Sequence, residues 1–389
     1  MAPRLTIVMP LKGRRLFTFR FLWHANKLRV PYRFLIADGK VNEAAAQQLE
    51  RSRETFPNLD IEYVRYPGDT CYRRYFAKMS DTMQRVRTPY VMQADNDDFL
   101  GFNGIERALD FLDAHPDYVC ARGHQVMFSV YSGIGGSPGN ISGKVNRLYW
   151  DNDSTNISAS SATERLRQSG LCHRLYYAIY RSAALAGIWQ DIVEIDFSDL
   201  MLHEDFFALR VLTLGKARIN TDTVSYYSQA GTGISYQPLR DWASHLLRSR
   251  FTSDAHAAIE RIASAAAQAD GTSAGSITED IRTILISRYQ NFLMGNYGLP
   301  ARIKRRLREK WPQVATYLQT RPRYSTGREQ AAILSELKKA GASPEDLQCV
   351  LDELGQVRSA LSPDALAEYA GPLLPIASAD ASHEWLSLA

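Results

Sequence analysis

Three carboxylates crowd into four residues at the end of a short apolar run. The run Tyr90 to Ala94 is predicted to be a buried strand, and Asp95, Asp97 and Asp98 follow it directly. Carboxylates 4 Å apart repel one another by about 1 kcal/mol per pair in water, and by more when desolvated. Such a cluster is typical of a cation site, and all-oxygen ligands suit Mg²⁺, Mn²⁺ or Ca²⁺. We therefore interpret Asp95 and Asp97 as a place where a divalent metal holds a nucleotide diphosphate.

Other interpretations of the acidic run are weaker. A solvated turn is one alternative, because Asp and Asn are common turn formers. An EF-hand loop is excluded because Leu100 stands where that loop needs glycine. The segment 151–153 repeats the Asp-Asn-Asp spacing but continues into Ser154, Thr155 and Asn156, which favours a polar loop.

A second acidic pair, Glu204 and Asp205, precedes an apolar run that is predicted to be a helix beginning near Glu204. Two explanations stay open for the pair. Acidic residues at a helix start are stabilised by the helix dipole. Alternatively, one carboxylate is the general base that takes a proton from an acceptor hydroxyl. The histidines His173 and His203 are expected to be structural.

Strand-like and helix-like segments alternate over residues 1–115. The predicted strands cover 5–9, 32–37, 61–64 and 90–94, and the predicted helices cover 16–28, 41–56 and 72–86. This alternation indicates parallel strands with helices on both faces, and ligands bind such sheets beyond the carboxyl ends of the strands. Pro10, Asp38 and Asp95 each fall at such an end and are expected along one edge.

The remainder of the chain has a different character. Residues 116–239 are mixed, with strands predicted at 119–131 and 176–180 and a Gly/Ser-rich loop at 132–144. Residues 240–389 are predicted to be a helical C-terminal region, with a capping box at Ser276 and N-cap serines at Ser343 and Ser362. We expect one domain over 1–239, with a nucleotide-binding half (1–115) and an acceptor-binding half (116–239), followed by the helical appendage.

Bulk composition narrows the class of protein. The chain has 389 residues, 45% hydrophobic and 23% charged, as in ordinary globular proteins. Its net charge of +4 is too small to indicate a nucleic-acid partner. The four cysteines form no CxxC pair, which argues against a zinc site. No segment approaches the roughly 20 apolar residues of a membrane span, so a cytoplasmic location is expected.

Several short segments, taken in order, resemble the GT-A glycosyltransferases, especially the large family 2. The resemblance covers residues 5 to about 235. Each segment is weak alone, and the order makes them fairly specific. They are Ile7-Val8-Met9-Pro10, Ile36-Ala37-Asp38-Gly39, Met92 to Asp98, Ala178 to Arg181, Gly187 to Asp191, and His203-Glu204-Asp205 with Leu209-Arg210 and Gly215-Lys216.

The resemblance implies a fold and a set of roles. The fold would be a Rossmann-like mixed sheet flanked by helices. Asp38 would contact the base of the nucleotide, Asp95 and Asp97 would form the DxD motif that binds Mn²⁺ or Mg²⁺, and Asp205 would be the general base with Glu204 beside it. The remaining expected contacts are Pro10 in the loop over the nucleotide, and Lys12, Arg14 and Lys78 on phosphate.

This chain departs from the family pattern at one segment. Many relatives carry a basic residue or His in the part matching Tyr227 to Gly233, where this chain has Gln229 and two glycines. We interpret that segment as a flexible flap over the diphosphate, with glycines as hinges. The aromatic residues Trp150, Trp189, Tyr176 and Tyr177 are candidates to stack on an acceptor sugar, and core packing explains them equally well.

The combined prediction is a metal-dependent, inverting glycosyltransferase. Its donor would be a nucleotide sugar, UDP-linked by preference, and its acceptor a saccharide, lipid-linked or protein-attached group, as in bacterial surface polysaccharide or glycoconjugate synthesis. A non-catalytic sugar-binding or scaffold protein is one alternative. A sugar-1-phosphate nucleotidylyltransferase is another, although the loop after the first strand has only Gly13 where that enzyme needs several glycines.

Three roles stay open for the helical region: forming a homodimer, gripping the acceptor, or contacting a membrane. The segment 302–311 is strongly basic and places Ile303, Leu307 and Trp311 on one helical stripe. We expect this stripe to pack on the core. The alternative is peripheral contact with an anionic membrane through the same segment.

Overall fold

The structure is a computed structural model. It describes residues 3–40, 42–131, 140–150, 156–169, 173–198, 200–230, 250–297 and 326–371, together with residues 303, 306, 310 and 311. The predicted loop at 132–144 lies largely outside the described residues, as does the second Asp-Asn-Asp segment at 151–153.

A nine-stranded mixed sheet is the centre of the molecule. Its order is β3-β2-β1-β4-β8-β6-β9-β5, and β7 pairs with β6 outside this path. The strands are β1 (Leu5–Leu11), β2 (Arg33–Asp38), β3 (Asp60–Arg65), β4 (Tyr90–Gln93), β5 (Phe99–Leu100), β6 (Tyr118–Tyr131), β7 (Lys144–Trp150), β8 (Ile179–Arg181) and β9 (Lys216–Gln229).

The first four strands are parallel, as the alternation of strands and helices predicts. Helices cover both faces of this part of the sheet, so the strands are apolar on both sides, and β1 is buried at six of its seven positions. Their carboxyl ends lie along one edge. The helices are α1 (Arg15–Lys27), α2 (Glu43–Glu50), α3 (Ser52–Thr55), α4 (Tyr72–Gln84) and α5 (Phe102–Ala114).

The second half of the sheet is mixed. Strand β8 runs antiparallel to β4 and to β6, whereas β9 runs parallel to β6. The strand predicted at 176–180 is instead a 3-10 helix, His173–Tyr177, followed by the short β8. The helices of this half are α6 (Ala162–Ser169), α7 (Ser182–Ile195) and α8 (Leu200–Leu214).

The C-terminal region is helical, and its helices pack on two sides of the sheet. They are α9 (Phe251–Asp270), α10 (Ala274–Tyr297), α11 (Thr326–Lys339), α12 (Pro344–Ala360) and α13 (Pro363–Ala370). Helix α9 packs on α6 and α8, while α11 packs on β7 and β9 and α13 packs on α1. The N-caps at Ser343 and Ser362 are confirmed, and Ser343 also forms a capping box with Asp346. The capping box at Ser276 is wrong, because α10 already begins at Ala274.

The described residues form a mixed sheet flanked by thirteen α-helices, which confirms the predicted fold class. Within the described residues, no helix combines the length and the apolar character needed to cross a bilayer. In the basic segment, Ile303 and Trp311 are 50% and 57% exposed. The prediction that their stripe packs on the core is therefore wrong for these two residues, and Leu307 lies outside the described residues.

Candidate active site

The acidic run lies where β4 ends, between the parallel and the mixed halves of the sheet. One carboxylate oxygen from each of Asp95, Asp97 and Asp98 lies within 4.8 Å of the others. Asp95 is half-buried, and Asp97 and Asp98 are buried. The sequence singled out the first two as metal ligands, and the structure brings Asp98 to the same place.

Close packing of the acids changes the proton affinity of Asp95 and Asp98. Burial, and then the neighbouring charge of Asp97, raises the pKa of Asp95 to about 6. Burial and the charges of Asp97 and Asp95 raise the pKa of Asp98 well above its ordinary value. The cluster is therefore costly to ionise by itself, which is the electrostatic condition that a bound cation relieves.

Groups from three separate elements surround the cluster. The Arg14 guanidinium, at the start of α1, lies 2.9 Å from Oδ2 of Asp97. The Tyr177 hydroxyl donates a hydrogen bond of 2.5 Å to Oδ2 of Asp95. The Tyr226 hydroxyl of β9 accepts one from the backbone N–H of Asp95 at 3.0 Å, and the Tyr177 and Tyr226 rings stack at 4.6 Å.

Arg20 lies beneath the cluster and is fully buried. Its guanidinium donates to the backbone carbonyl of Asp97 and, at 2.8 Å, to Oε1 of Gln229. It also lies over the Phe17 and Phe99 rings at 4.9 and 4.8 Å. Burial lowers the pKa of Arg20 to about 10, so the guanidinium is still cationic at neutral pH. Arg20 therefore supplies a fixed positive charge beside three carboxylates.

Gln229 connects the end of β9 to the same cluster. Its backbone N–H donates to Oδ1 of Asp98 at 2.7 Å, and its side-chain amide donates to the carbonyl of Asn140 at 2.8 Å. The side chain is buried. The flap predicted over Tyr227 to Gly233 is therefore wrong for its first three residues, which belong to β9, and its two glycines, Gly231 and Gly233, lie outside the described residues.

A groove lies at the carboxyl ends of β1 and β2, next to the cluster. Asp38 lies in it, and its carboxylate accepts hydrogen bonds from the Tyr63 hydroxyl at 2.8 Å and the Lys40 N–H at 3.0 Å. Pro10 lies one residue before the end of β1 and pairs with Ala37. The groove is lined by Leu11, Gly13, Arg15, Thr18, Phe19, Asp38, Lys40, Asn42, Ala45 and Leu49.

Lys78 lies behind this groove and faces an acid that the sequence analysis did not single out. Its ammonium donates to Oδ2 of Asp69 at 2.6 Å and to the Leu11 carbonyl at 3.1 Å. Lys12 lies 3.9 Å from Oδ1 of the same carboxylate. A Cβ on Gly39 would come within 2.2 Å of Asp69, so the glycine is needed for this close approach.

The second acidic pair lies inside α8 rather than at its start. The helix begins at Leu200, four residues before Glu204. Because the effect of the helix dipole is confined to the first turn, it does not explain the pair. Asp205 is fully buried, and Glu204 is half-buried.

Two tyrosines lie between Glu204 and the acidic cluster. The Tyr75 and Tyr176 hydroxyls are 3.5 Å apart, and the Tyr176 ring contacts that of Tyr177 at 5.3 Å. Burial is the main cause that raises the pKa of Tyr75 and of Tyr176. The negative charges of Asp95 and Glu204 raise both pKa values further. Glu204 and Asp95 therefore lie within electrostatic range of the same two tyrosines.

Two of the aromatic or histidine candidates belong to the core. Trp189 is fully buried, and its indole N–H donates to Gln93 at 3.0 Å, so it does not stack on an acceptor. His203 is buried between the Phe76 and Trp189 rings, with Nδ1 2.6 Å from the Leu200 carbonyl. The structural interpretation of His203 is confirmed. Nothing is described of the Trp150 and His173 side chains.

The cluster fits a hard divalent cation. Its donors are carboxylate oxygens, which Mg²⁺ and Mn²⁺ prefer, and Mg²⁺ sites commonly use one or two carboxylates together with water and substrate phosphate. Asp95, Asp97 and Asp98 would hold the ion.

Four site residues were missed by the sequence analysis. Asp98 lies within the acidic run, so the sequence alone could have identified it as a metal ligand. Arg20, Asp69 and Tyr226 come from separate elements, and no spacing in the sequence links them to the cluster.

Fold and site together define a class by geometry: a Rossmann-like mixed sheet flanked by helices, with an acidic cluster at the carboxyl end of β4. No protein-family model and no curated protein matches the chain. Among solved structures, TarS 1-349 from S. aureus is similar, with a TM-score of 0.46 and 14% identity over 92% of this chain and 90% of that one.

Two further solved structures are similar. TarS 1-349 in complex with UDP has a TM-score of 0.43 and 13% identity, over 97% of this chain and 92% of that one. The mannosyltransferase PcManGT from Pyrobaculum calidifontis, in complex with GDP-Man and Mn²⁺, has a TM-score of 0.40 and 12% identity, over 87% and 86%. Similarity at TM-scores below 0.5 does not assign a function to this chain, and only the geometry of the site bears on its function.

Proposed function

We propose that the protein is a metal-dependent glycosyltransferase that uses a nucleotide-diphosphate sugar, UDP-linked by preference, and inverts the anomeric carbon. The observation that carries this proposal is the three-carboxylate cluster at the end of β4, beside a groove that contains Asp38. A carboxylate in the groove suits the N–H of a nucleobase, and a cation at the cluster suits the diphosphate. In open sheets of this kind, ligands bind beyond the carboxyl ends of the strands, and both features lie there.

Different residues of the chain bind different parts of the donor. Asp38 accepts a hydrogen bond from the base, and the hydrogen bonds from Tyr63 and Lys40 fix its orientation. Pro10 shapes the end of β1 above the nucleotide. Arg14 donates to the diphosphate, since its side chain is partly exposed beside the cluster. Lys78, which is buried against Asp69, contributes its charge from behind the groove.

Sugar transfer then needs one carboxylate as general base. The acceptor oxygen attacks the anomeric carbon, the bond from that carbon to the diphosphate breaks, and the acceptor proton passes to the carboxylate. Asp205 is the proposed base, with Glu204 beside it. A bound divalent cation would stabilise the negative charge that develops on the departing diphosphate.

The acceptor and the cellular setting belong to the same proposal. We infer a saccharide, lipid-linked or protein-attached acceptor of the kind used in bacterial surface polysaccharide or glycoconjugate assembly. The exposed Ile303 and Trp311, with the exposed Arg306 and Lys310 between them, support peripheral contact with an anionic membrane. Homodimer formation through the helical region is the alternative role.

A thermal-shift panel tests the proposal most directly. The panel contains UDP, GDP, CMP and their common sugar conjugates, with and without Mn²⁺. A ligand at 100 times its dissociation constant stabilises the fold by about 2.7 kcal/mol. We expect a metal-dependent shift with one nucleotide, and loss of that shift in Asp97→Asn.

The matched control is Asp117→Asn, which alters an exposed aspartate paired with Lys216 at the surface. This variant should keep the nucleotide shift. If no nucleotide stabilises the wild-type protein with or without Mn²⁺, the transferase proposal fails and a scaffold role becomes the better explanation.

A further inference from the structure

Arg14 has a left-handed backbone directly beside the acidic cluster. Its φ is 60°, and that of the preceding Gly13 is 77°. A residue with a Cβ rarely adopts this conformation, and it persists where neighbouring contacts hold it. Here the Arg14 carbonyl accepts hydrogen bonds from the Phe17 N–H at 3.0 Å and the Asn96 side chain at 3.3 Å. Because Asn96 belongs to the acidic run, the backbone of Arg14 is fixed to the cluster.

The Arg14 side chain extends from this fixed backbone to the cluster and is partly exposed. Its guanidinium lies 2.9 Å from Oδ2 of Asp97 and 4.6 Å from the centre of the Phe17 ring. The side chain is 27% exposed, whereas that of Asp97 is 6% exposed. Rotation about its own side-chain bonds is therefore enough to move the guanidinium away from Asp97, with no change in the backbone.

Arg14 and a divalent cation would compete for Asp97. Both use the lone pairs of the same carboxylate, and the two positive charges repel one another. A diphosphate offers the guanidinium another partner, because arginine donates two parallel hydrogen bonds to phosphate oxygens. Arg20 cannot exchange in this way, since it is buried and held by the Asp97 carbonyl and Gln229.

We propose that Arg14 is an exchangeable counterion of the acidic cluster. It pairs with Asp97 in the donor-free protein and transfers to the diphosphate of the donor when a cation takes its place. This inference rests on the proposed function and adds a consequence to it. Cation and nucleotide favour the same position of Arg14, so each strengthens the binding of the other by an equal factor.

The test measures Mn²⁺ binding by electron paramagnetic resonance and UDP and GDP binding by calorimetry, in wild-type protein and in Arg14→Gln. In the wild type we expect each nucleoside diphosphate that binds to tighten Mn²⁺ binding about tenfold or more. In Arg14→Gln, Mn²⁺ alone should bind about tenfold more tightly and the nucleotide about tenfold more weakly, with little coupling left.

Arg29→Gln is the matched control. Arg29 lies just beyond the other end of α1, also has a left-handed backbone (φ 51°), and is exposed. This variant should bind Mn²⁺ and nucleotide as the wild type does. Arg14→Lys, which keeps the charge without the planar fork, should bind Mn²⁺ alone like the wild type but the nucleotide more weakly.

Two outcomes separate this inference from the function on which it rests. If Arg14→Gln binds Mn²⁺ alone no more tightly than the wild type, while UDP or GDP still binds, the exchange is overturned and the transferase proposal stands. If neither Mn²⁺ nor a nucleoside diphosphate binds the wild-type protein, both fail together.

Discussion

Glu204 and Asp205 are neighbours on α8, but their surroundings differ. Asp205 is fully buried, whereas Glu204 is half-buried and lies within electrostatic range of Tyr75 and Tyr176. If Asp205 is the base, Asp205→Asn should lower release of nucleoside diphosphate from the donor by a factor of about 10²–10⁴. The measurement is turnover of the nucleotide sugar that the thermal-shift panel identifies.

Donor affinity provides the control for this prediction, because a base acts on the acceptor and not on the nucleotide. Both Asp205→Asn and Glu204→Gln should therefore bind nucleotide about as tightly as the wild type. A large loss of turnover in Glu204→Gln, with Asp205→Asn nearly normal, would assign the base to Glu204 instead.

The sequence predicted those site residues that adjoin a strand end. Asp38 and Asp95 each follow a run of apolar residues, and the carboxyl ends of parallel strands meet at one edge, so their placement followed from the alternation of elements. Arg20 and Tyr226 reach the cluster from α1 and β9. Their position depends on how distant elements pack, and no local spacing encodes that.

At the scale of elements, α12 is connected to the sheet through a buried carboxylate. Glu353 accepts hydrogen bonds from the Tyr227 hydroxyl of β9 at 2.7 Å and from the Asn103 N–H of α5 at 3.2 Å. Burial raises the pKa of Glu353 from its ordinary 4.5 to about 7. Two residues along β9 from Tyr227, Gln229 binds Asp98, so this helix supports the strand that reaches the candidate active site.

The raised pKa predicts how stability depends on pH. An acid whose pKa rises on folding stabilises the fold below its unfolded pKa, and this contribution is lost as pH rises from about 4.5 to about 7. The loss should amount to about 3 kcal/mol, since one pKa unit corresponds to about 1.4 kcal/mol. Urea unfolding at pH 5 and pH 8 measures it.

Glu353→Gln should remove the part of the pH dependence that this carboxylate contributes, because its amide has no proton to lose in this range, while the raised pKa values of Asp95 and Asp98 leave a remainder. Glu345→Gln is the control, since Glu345 lies exposed in the first turn of the same helix. An equal pH dependence in wild type and Glu353→Gln would contradict the assignment to this carboxylate.

Element boundaries were predicted less well than element types. A single helix was expected over 41–56, but the described residues there form α2 and α3, separated at Arg51, which leaves helical geometry at φ −93° and ψ 31°. The serine at 276 has the pattern of a capping box, and α10 nevertheless begins two residues earlier. Sequence signals for helix starts are local, whereas packing against α9 decides where this helix begins.

On the scale of the whole molecule, the C-terminal helices pack against the sheet and its flanking helices. Helices α9 and α10 extend the core on the side of α8, and α11 to α13 cover β9 and α1 on the other. Trp23 of α1 donates to Glu368 at 3.0 Å and its ring lies 6.0 Å from that of Tyr369. Changes in these helices are therefore transmitted directly to the elements that position the site.

The basic segment 302–311 gives a prediction at the same scale. Each basic residue near an anionic surface contributes about 1 kcal/mol to membrane binding. Arg306→Glu combined with Lys310→Glu should therefore weaken binding to vesicles of anionic phospholipid by about 30-fold or more, as measured by co-sedimentation. Vesicles of neutral phosphatidylcholine should bind neither protein.

Lys338→Glu combined with Lys339→Glu is the matched control, since these two residues are exposed in the last turn of α11. That variant should bind anionic vesicles like the wild type. Equal binding by both double variants would mean that net charge, and not this segment, attracts the protein to lipid.

The burial of Arg20 also has a consequence for charge stoichiometry. When ionised, the three carboxylates carry three negative charges, and the guanidinium held beneath them offsets one. Two remain once Arg14 has moved to the donor, which is the charge that a single divalent ion neutralises. With all three acids ionised, these side-chain charges would therefore match one divalent ion, and the diphosphate of the donor would add its own negative charge.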